Sequence, residues 1–322
     1  MTSLYVDRRG VVLKADGEAL AFYEEGQRVG TVPLAPLSRV FLRGDVTLSS
    51  SLLGKFGERG IGVVILSGRK GVPSMLLGRP HNDASRRLGQ YGLARDPDAC
   101  LRFAREVVRQ KLASQASFLS EKRDALAQSR YALTLVLRKI DGALASLDRH
   151  TTIAALRGAE GAGAAAYFDG IAELVPDRLG FKRRNRRPPR DPVNAVLSLG
   201  YTLLHAEAVI ALYGAGLDPF IGFYHALDFA RESLACDIVE SLRVEVDRHA
   251  IRMFNEETLR AEDFSQTAEG CMMGKAGRAR FYEAWERAAE RIRKGLTERV
   301  ADVVTAVRAI DAKLPVASEQ LS

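Results

Sequence analysis

The sequence predicts an α+β protein: a small N-terminal β-rich domain, β-sandwich-like, over residues 1–80, and a larger all-α C-terminal domain over 81–322. Two textures predict it. Up to Pro80 the chain has short β-prone runs broken by Gly, Asp and Pro, and beyond it long segments rich in Ala, Leu, Glu and Arg carry apolar residues three and four apart. Size is the third observation, because 322 residues suffice for about two domains with proper cores.

Strands are expected over residues 4–6, 11–14, 19–23, 28–32, 39–42 and 61–66, with turns at Asp16-Gly17 and Glu25-Gly26 as hairpins require. A short helix is expected over 49–56, and Gly71-Val72-Pro73 and Gly78-Arg79-Pro80 close the strand-rich unit. Helices follow over 83–93, 98–121, 123–147, 151–157, 160–174, 192–214, 229–255 and 278–311. Asp96-Pro97 and Asp191-Pro192 read as helix starts with Pro in the first turn, and the tail 313–322 reads as frayed.

The composition, 47% hydrophobic and 27% charged, is that of a soluble globular chain and excludes disorder as the main state. Lys and Arg number 47 against 40 Asp and Glu, a net charge of +7 that favours a polyanionic partner. Three cysteines, Cys100, Cys236 and Cys271, lie too far apart for a zinc knuckle and are too few for a disulfide framework, so a reducing cytoplasm is expected. The N-terminus has no apolar signal core, and no uninterrupted apolar stretch reaches the length of about 18 residues that marks a membrane span.

The chemistry concentrates around His225. It follows Gly222-Phe223-Tyr224, and Asp237 and Glu240 lie on a segment read as helix, where residues three apart share a face. Imidazole with carboxylates suits a hard or borderline divalent cation such as Mg²⁺ or Mn²⁺. A satisfied histidine, and a solvated helix face paired with Arg231 and Arg243, account for the same residues. Glu160, flanked by Gly158, Gly161 and Gly163, is a second candidate, since small neighbours let a metal or substrate approach. It is equally read as a residue near a helix N-terminus that complements the dipole, with Gly158 ending the preceding helix. His81, His150, His205 and His249 lack a comparable carboxylate arrangement, and His205 and His249 read as helix-face residues.

Lys182, Arg183, Arg184, Arg186, Arg187 and Arg190 put six cations into nine residues, and Pro188-Pro189 keep that run out of helix. Such a loop suits phosphate neutralisation and salt-sensitive binding, although a solvated basic loop has the same composition. Tyr167 and Phe168 are placed either to stack on bases or to fill the core.

Three motifs together resemble the CRISPR-associated adaptation integrase and endonuclease family, the first-numbered of the CRISPR-associated proteins. They are Leu156-Arg157-Gly158-Ala159-Glu160-Gly161, the segment from Arg186 to Tyr201, and Gly222 to His225 with Ser233 to Arg243. The resemblance implies that Glu160, His225 and Glu240 bind a catalytic Mg²⁺ or Mn²⁺, with Asp237 a further acid close by. Tyr224, Ile238 and Leu242 depart from the family's usual residues without touching a ligand. The resemblance also implies a homodimer joined through the β-rich domain, and assembly with the second-numbered CRISPR-associated protein.

That chemistry is attack of a DNA 3′-hydroxyl, or of water, on a phosphodiester, with a divalent metal stabilising charge on the phosphoryl and leaving oxygens. Lys275, in the glycine-flanked basic segment Gly274-Lys275-Ala276-Gly277-Arg278, is a further candidate phosphate contact. The expected function is insertion of short DNA fragments into a CRISPR array, with double-stranded and branched DNA as partners. A plain nuclease on branched DNA uses the same residues, and a non-catalytic basic scaffold uses only the charge. A helical enzyme binding diphosphate through Mg²⁺ calls for Asp-rich clusters on two helices, which the sequence lacks.

Overall fold

Alternation of apolar and polar residues builds the first unit. In β2 (Val11–Asp16) Val11 and Leu13 are buried while Lys14 between the faces is exposed, and β2 pairs antiparallel with β3 (Ala19–Glu24), which pairs with β4 (Gln27–Pro33). The β3–β4 turn uses positive φ at both Glu25 (50°) and Gly26 (81°), the twist that matches a tight hairpin. β6 (Val46–Leu48) joins this sheet parallel to β2. The second sheet has the order β1 (Thr2–Asp7), β5 (Leu37–Arg43), β7 (Gly62–Ile65), β8 (Ser74–Leu76), the first three parallel and β8 antiparallel. Leu13 and Leu20 of one sheet share a buried cluster with Val6, Val40, Leu42 and Val63 of the other, and Leu52 and Phe56 of α1 (Ser50–Glu58) complete it. β6 and β8, three residues each, were not expected, being too short to show a period.

The computed structural model describes residues 2–66, 73–79, 81–185 and 188–311. Gly71, Val72, Pro80 and the tail 313–322 lie outside the described residues. The chain divides into two units: the residues up to His81 with Arg278–Arg287, and Asn82–Gly277 with the chain from Ala288. The reading of 81–322 as one helical stretch did not contain that exchange. In the first unit Arg278 Nε donates to Asp7 at 2.6 Å, Glu286 accepts the Ser3 N–H at 3.0 Å and the Tyr5 hydroxyl at 3.1 Å, and Tyr282 stacks on Tyr5. These side chains meet strand residues more than 270 positions away, and local periodicity carries no trace of that.

The second unit comprises α2 (Ser85–Ala94), α3 (Pro97–Ala125), α4 (Arg130–Ser146), α5 (Ile153–Ala172), α6 (Pro192–Gly214), α7 (Ser233–Val239), α8 (Arg243–Asn255) and α9 (Lys275–Asp311), α9 without its Arg278–Arg287 segment. It also holds a hairpin of β9 (Phe264–Thr267) and β10 (Gly270–Met273), absent from the all-α expectation. Asp96, Thr152 and Asp191 cap α3, α5 and α6 through side-chain oxygens. α6 is long and apolar enough to cross a membrane by composition, yet 61% of its apolar window is buried within the protein. The three cysteines are free.

Three helix boundaries differ from expectation in ways that matter for the site. α5 runs unbroken through Gly158, so Glu160 lies mid-helix rather than at an N-terminus. Two of its glycines, Gly163 and Gly170, serve packing: a Cβ on Gly163 would sit 2.5 Å from Leu112 Cδ2, so the small residue lets α5 lie close against α3. The expected helix 229–255 starts at Ser233 and is interrupted by a 3₁₀ turn at Glu240–Leu242. α9 starts at Lys275, so that lysine is helical rather than on a loop.

Candidate metal centre

Three separated stretches, those carrying Lys111, Glu160 and Glu240, meet at one ammonium group. Lys111 falls on the buried face of α3 with Val107, Val108, Leu112 and Gln115, and only 8% of it is exposed. Its Nζ contacts Glu160 Oε1 from α5 and lies 2.6 Å from Glu240 Oε2 at the 3₁₀ turn. Burial pulls the lysine pKa down, but Glu240 and Glu160 outweigh it and the net shift is upward. Burial likewise works against ionised Glu240, and Arg243 and Lys111 overcome it, holding the carboxyl well below the usual range. Arg243 Nε donates to Glu240 Oε1 at 3.0 Å, which makes the pairing anticipated from sequence a positioning contact.

His225 enters from the loop after α6. Asp237, 2% exposed, accepts the backbone N–H groups of Phe223 (2.7 Å), Tyr224 (3.0 Å) and His225 (2.9 Å) and meets His225 Nδ1 at 2.7 Å. An ionised carboxylate only accepts, so Nδ1 carries the proton and Nε2 is the nitrogen that faces Glu240 Oε1, 4.0 Å away. Gly222 makes the approach feasible: a Cβ there would lie 2.7 Å from the Ser233 carbonyl carbon and 2.8 Å from Asp237 Oδ2. Arg157 braces the loop by donating to the Tyr224 carbonyl at 2.8 Å. Arg231 pairs with Asp228 at 3.5 Å and not with the site acids.

Behind Arg243, Tyr201 lies under its guanidinium at 4.9 Å and under that of Arg184 at 5.3 Å. The Tyr201 hydroxyl donates to buried Asp247, as does that of Tyr167 at 2.8 Å. Burial pushes the Asp247 carboxyl up to about 6, against the two tyrosine hydrogen bonds. Tyr167 is therefore a core residue, with Phe168 edge-on against it.

No three His, Cys, Asp or Glu side chains among the described residues are spaced to hold a cation together as they stand. The Lys111 ammonium lies between Glu160 and Glu240. The donor set nonetheless fits a hard or borderline divalent ion, because two carboxylates close on a position that a cationic group already occupies and His225 Nε2 lies 4.0 Å from the other oxygen of Glu240.

The proline-broken loop is fastened by Asn194, fully buried on α6. Its Oδ1 accepts from the Asn185 N–H at 2.9 Å and Arg184 Nη1 at 2.7 Å, and its Nδ2 donates to the Arg183 carbonyl at 3.0 Å. The β9–β10 hairpin adds Cys271 N–H to the Pro189 carbonyl at 2.7 Å. Arg184, expected to face DNA, is turned inward onto Asn194, Ser198 and Tyr201 because those partners offer fixed acceptors and a ring face. Arg183, Arg190 and Lys275 are exposed, and Arg186 and Arg187 lie outside the described residues.

Lys111 escaped the sequence reading, although a lysine within an apolar stripe was a readable signal. His205 also gained a partner: Glu232 Oε2 lies 2.6 Å from its Nε2, and although burial lowers its pKa, Cys236 and Glu232 raise it to about 9. His249 is buried, 3% exposed.

The family model described as CRISPR associated protein Cas1 matches residues 4–287. A CRISPR-associated endonuclease Cas1 of Thermodesulfovibrio yellowstonii is 40% identical over 292 residues, covering 89% of this chain and 91% of that protein. Among solved structures, a CAS1 protein from Thermotoga maritima superposes with a TM-score of 0.83 at 24% identity, covering all of both chains. A casposase bound to integration product superposes with a TM-score of 0.79 at 19% identity, over 98% of this chain and 92% of that one. At such identities the two structures establish the fold.

Proposed function

This chain belongs to the CRISPR-associated protein Cas1 family, and from that premise we propose that it inserts short DNA fragments into a CRISPR array by 3′-hydroxyl attack on a phosphodiester, dependent on Mg²⁺ or Mn²⁺. The observation that supports this best is the pairing of Glu160 and Glu240 on one cationic group, with His225 Nε2 4.0 Å from Glu240 and Asp237 behind the histidine.

When bound, the ion supplies charge stabilisation for the phosphoryl and leaving oxygens. Glu160 and Glu240 would hold it through carboxylate oxygens and His225 through Nε2. Asp237 keeps the proton on Nδ1, so the Nε2 lone pair is free for a ligand bond. Arg243 fixes the Glu240 carboxylate against rotation. Arg183, Arg190 and Lys275 supply positive surface for double-stranded or branched DNA, Arg186 and Arg187 are further candidates by sequence, and Arg184 fastens the loop that carries Arg183 and Arg190. On this reading two copies join through the β-rich unit and assemble with the second-numbered CRISPR-associated protein.

The test incubates the protein, with and without that partner, with short DNA ends and a supercoiled plasmid bearing a repeat, in Mn²⁺ or EDTA. Joined products in Mn²⁺ alone are expected, lost in Glu160→Ala and His225→Ala. Cleavage without joining selects the nuclease reading, and DNA binding with neither reaction selects the scaffold.

A further inference from the structure

We propose that Lys111 is a positioning residue that occupies the cation seat of the metal-free protein, holding Glu160 and Glu240 convergent, and that a divalent ion enters only by displacing its ammonium. The proposal rests on the metal site put forward above and adds a competitor for it.

The argument starts from charge. Glu240 is 5% exposed, Lys111 8%, and Lys111 Nζ touches a carboxylate oxygen of each acid. Two ionised carboxylates brought together in a poorly solvated site repel, and without a cation between them either the helices part or a proton is taken up. α3 places an ammonium there from a third direction. Arg243 cannot substitute: its Nε is bonded to the other oxygen of Glu240, and its guanidinium lies over Tyr201.

A divalent ion and an ammonium cannot share one seat, and two cations at contact distance repel strongly where solvent is scarce. Lys111 has the means to move, since a lysine carries its point charge on a flexible four-carbon stem. The Glu160 and His225 side chains remain 20% and 27% exposed, so the acceptor side of the seat is open to an entering ion. The ammonium therefore keeps the ligands gathered in the absence of metal and weakens metal affinity by competition.

Mn²⁺ titration by calorimetry of the full-length wild type, Lys111→Met, Lys111→Arg and Glu160→Ala tests this, with circular dichroism to establish folding. Lys111→Met is expected to bind Mn²⁺ about tenfold or more tightly than wild type. Lys111→Arg, which keeps the charge, stays within a few-fold of wild type. The metal-free Lys111→Met protein melts below wild type, and Mn²⁺ raises its midpoint by more than it raises that of wild type. A lysine with a merely structural role moves stability but does not tighten metal binding. Equal or weaker binding by a folded Lys111→Met, with wild type binding normally and Glu160→Ala not, overturns the Lys111 proposal alone. Absence of binding by wild type and Lys111→Met alike overturns the metal reading and this proposal with it. On wild type alone, acetylation of Lys111 by acetic anhydride, followed by peptide mass spectrometry, rises when Mn²⁺ is added; an unchanged extent overturns the displacement even if Lys111→Met does not fold.

Discussion

Asp237 Oδ1 accepts both the backbone N–H of His225, at 2.9 Å, and its ring Nδ1–H, at 2.7 Å, so one carboxylate oxygen sets the position and the tautomer of the same residue. Its Oδ2 takes the N–H groups of Phe223 and Tyr224. Asp237→Asn replaces one acceptor oxygen by a donor amide and leaves buried donors facing it, at a cost of about 1–3 kcal/mol. With the imidazole no longer held, Mn²⁺ affinity is expected to fall about 10–100-fold. Urea unfolding and Mn²⁺ titration read the two effects, and an Asn variant with wild-type affinity removes the orienting role.

Two glycines separate close approach from empty space. An Ala at position 222 puts its Cβ 2.7 Å from backbone of Ser233 and 2.8 Å from Leu234 N, neither of which can yield without shifting α7. Gly222→Ala is therefore expected to destabilise by about 1–3 kcal/mol and to weaken Mn²⁺ binding. Gly158, within α5, has nothing within 4 Å of its would-be Cβ. Gly158→Ala is expected to stabilise by about 0.5–1 kcal/mol. Opposite signs in denaturant midpoints are the expected outcome, and equal signs overturn the packing account.

The same positions show what the sequence made legible. Asp237 and Glu240 were readable as a pair because helical spacing is local, and the β-to-α change of texture was readable because each period repeats over many residues. Gly158 misled because glycine commonly punctuates helices, whereas here the Thr152 cap and the packing of α5 on α3 carry the helix through it. The role of Lys111 was hidden for a different reason: its partners lie 49 and 129 positions away, and only tertiary packing brings them together. The exchange of Arg278–Arg287 into the β-rich unit was hidden in the same way.

The basic loop divides by where each guanidinium points. Arg183 and Arg190 are exposed, and reversing both with Arg183→Glu and Arg190→Glu is expected to lower the slope of log affinity against log salt by about 1 per lost phosphate contact. Arg184 donates at 2.7 Å to Asn194 and 3.0 Å to Ser198, so Arg184→Ala is expected to lower stability by about 1–3 kcal/mol. DNA binding at several salt concentrations and urea unfolding separate the two. A slope unchanged by the double reversal removes the loop from the DNA surface.

Asp247 gives the helical unit a pH dependence whose sign follows from its burial. Burial lifts its carboxyl from 3.8 to about 6 despite hydrogen bonds from Tyr201 and Tyr167. Between those values the folded protein keeps a proton that the unfolded chain has released. The stability this group confers is therefore fully present below the unfolded value and is lost as pH rises through the folded one. The difference is worth up to about 3 kcal/mol at about 1.4 kcal/mol per unit. Asp247→Asn stays neutral at every pH and keeps an oxygen for one tyrosine hydroxyl, while the other hydroxyl can turn to accept from the amide. Urea midpoints of the variant are expected to fall less than those of wild type as pH rises from 4 to 6. Parallel profiles would mean that Asp247 is ionised throughout in the folded protein, with Arg243 and Arg184 offsetting its burial.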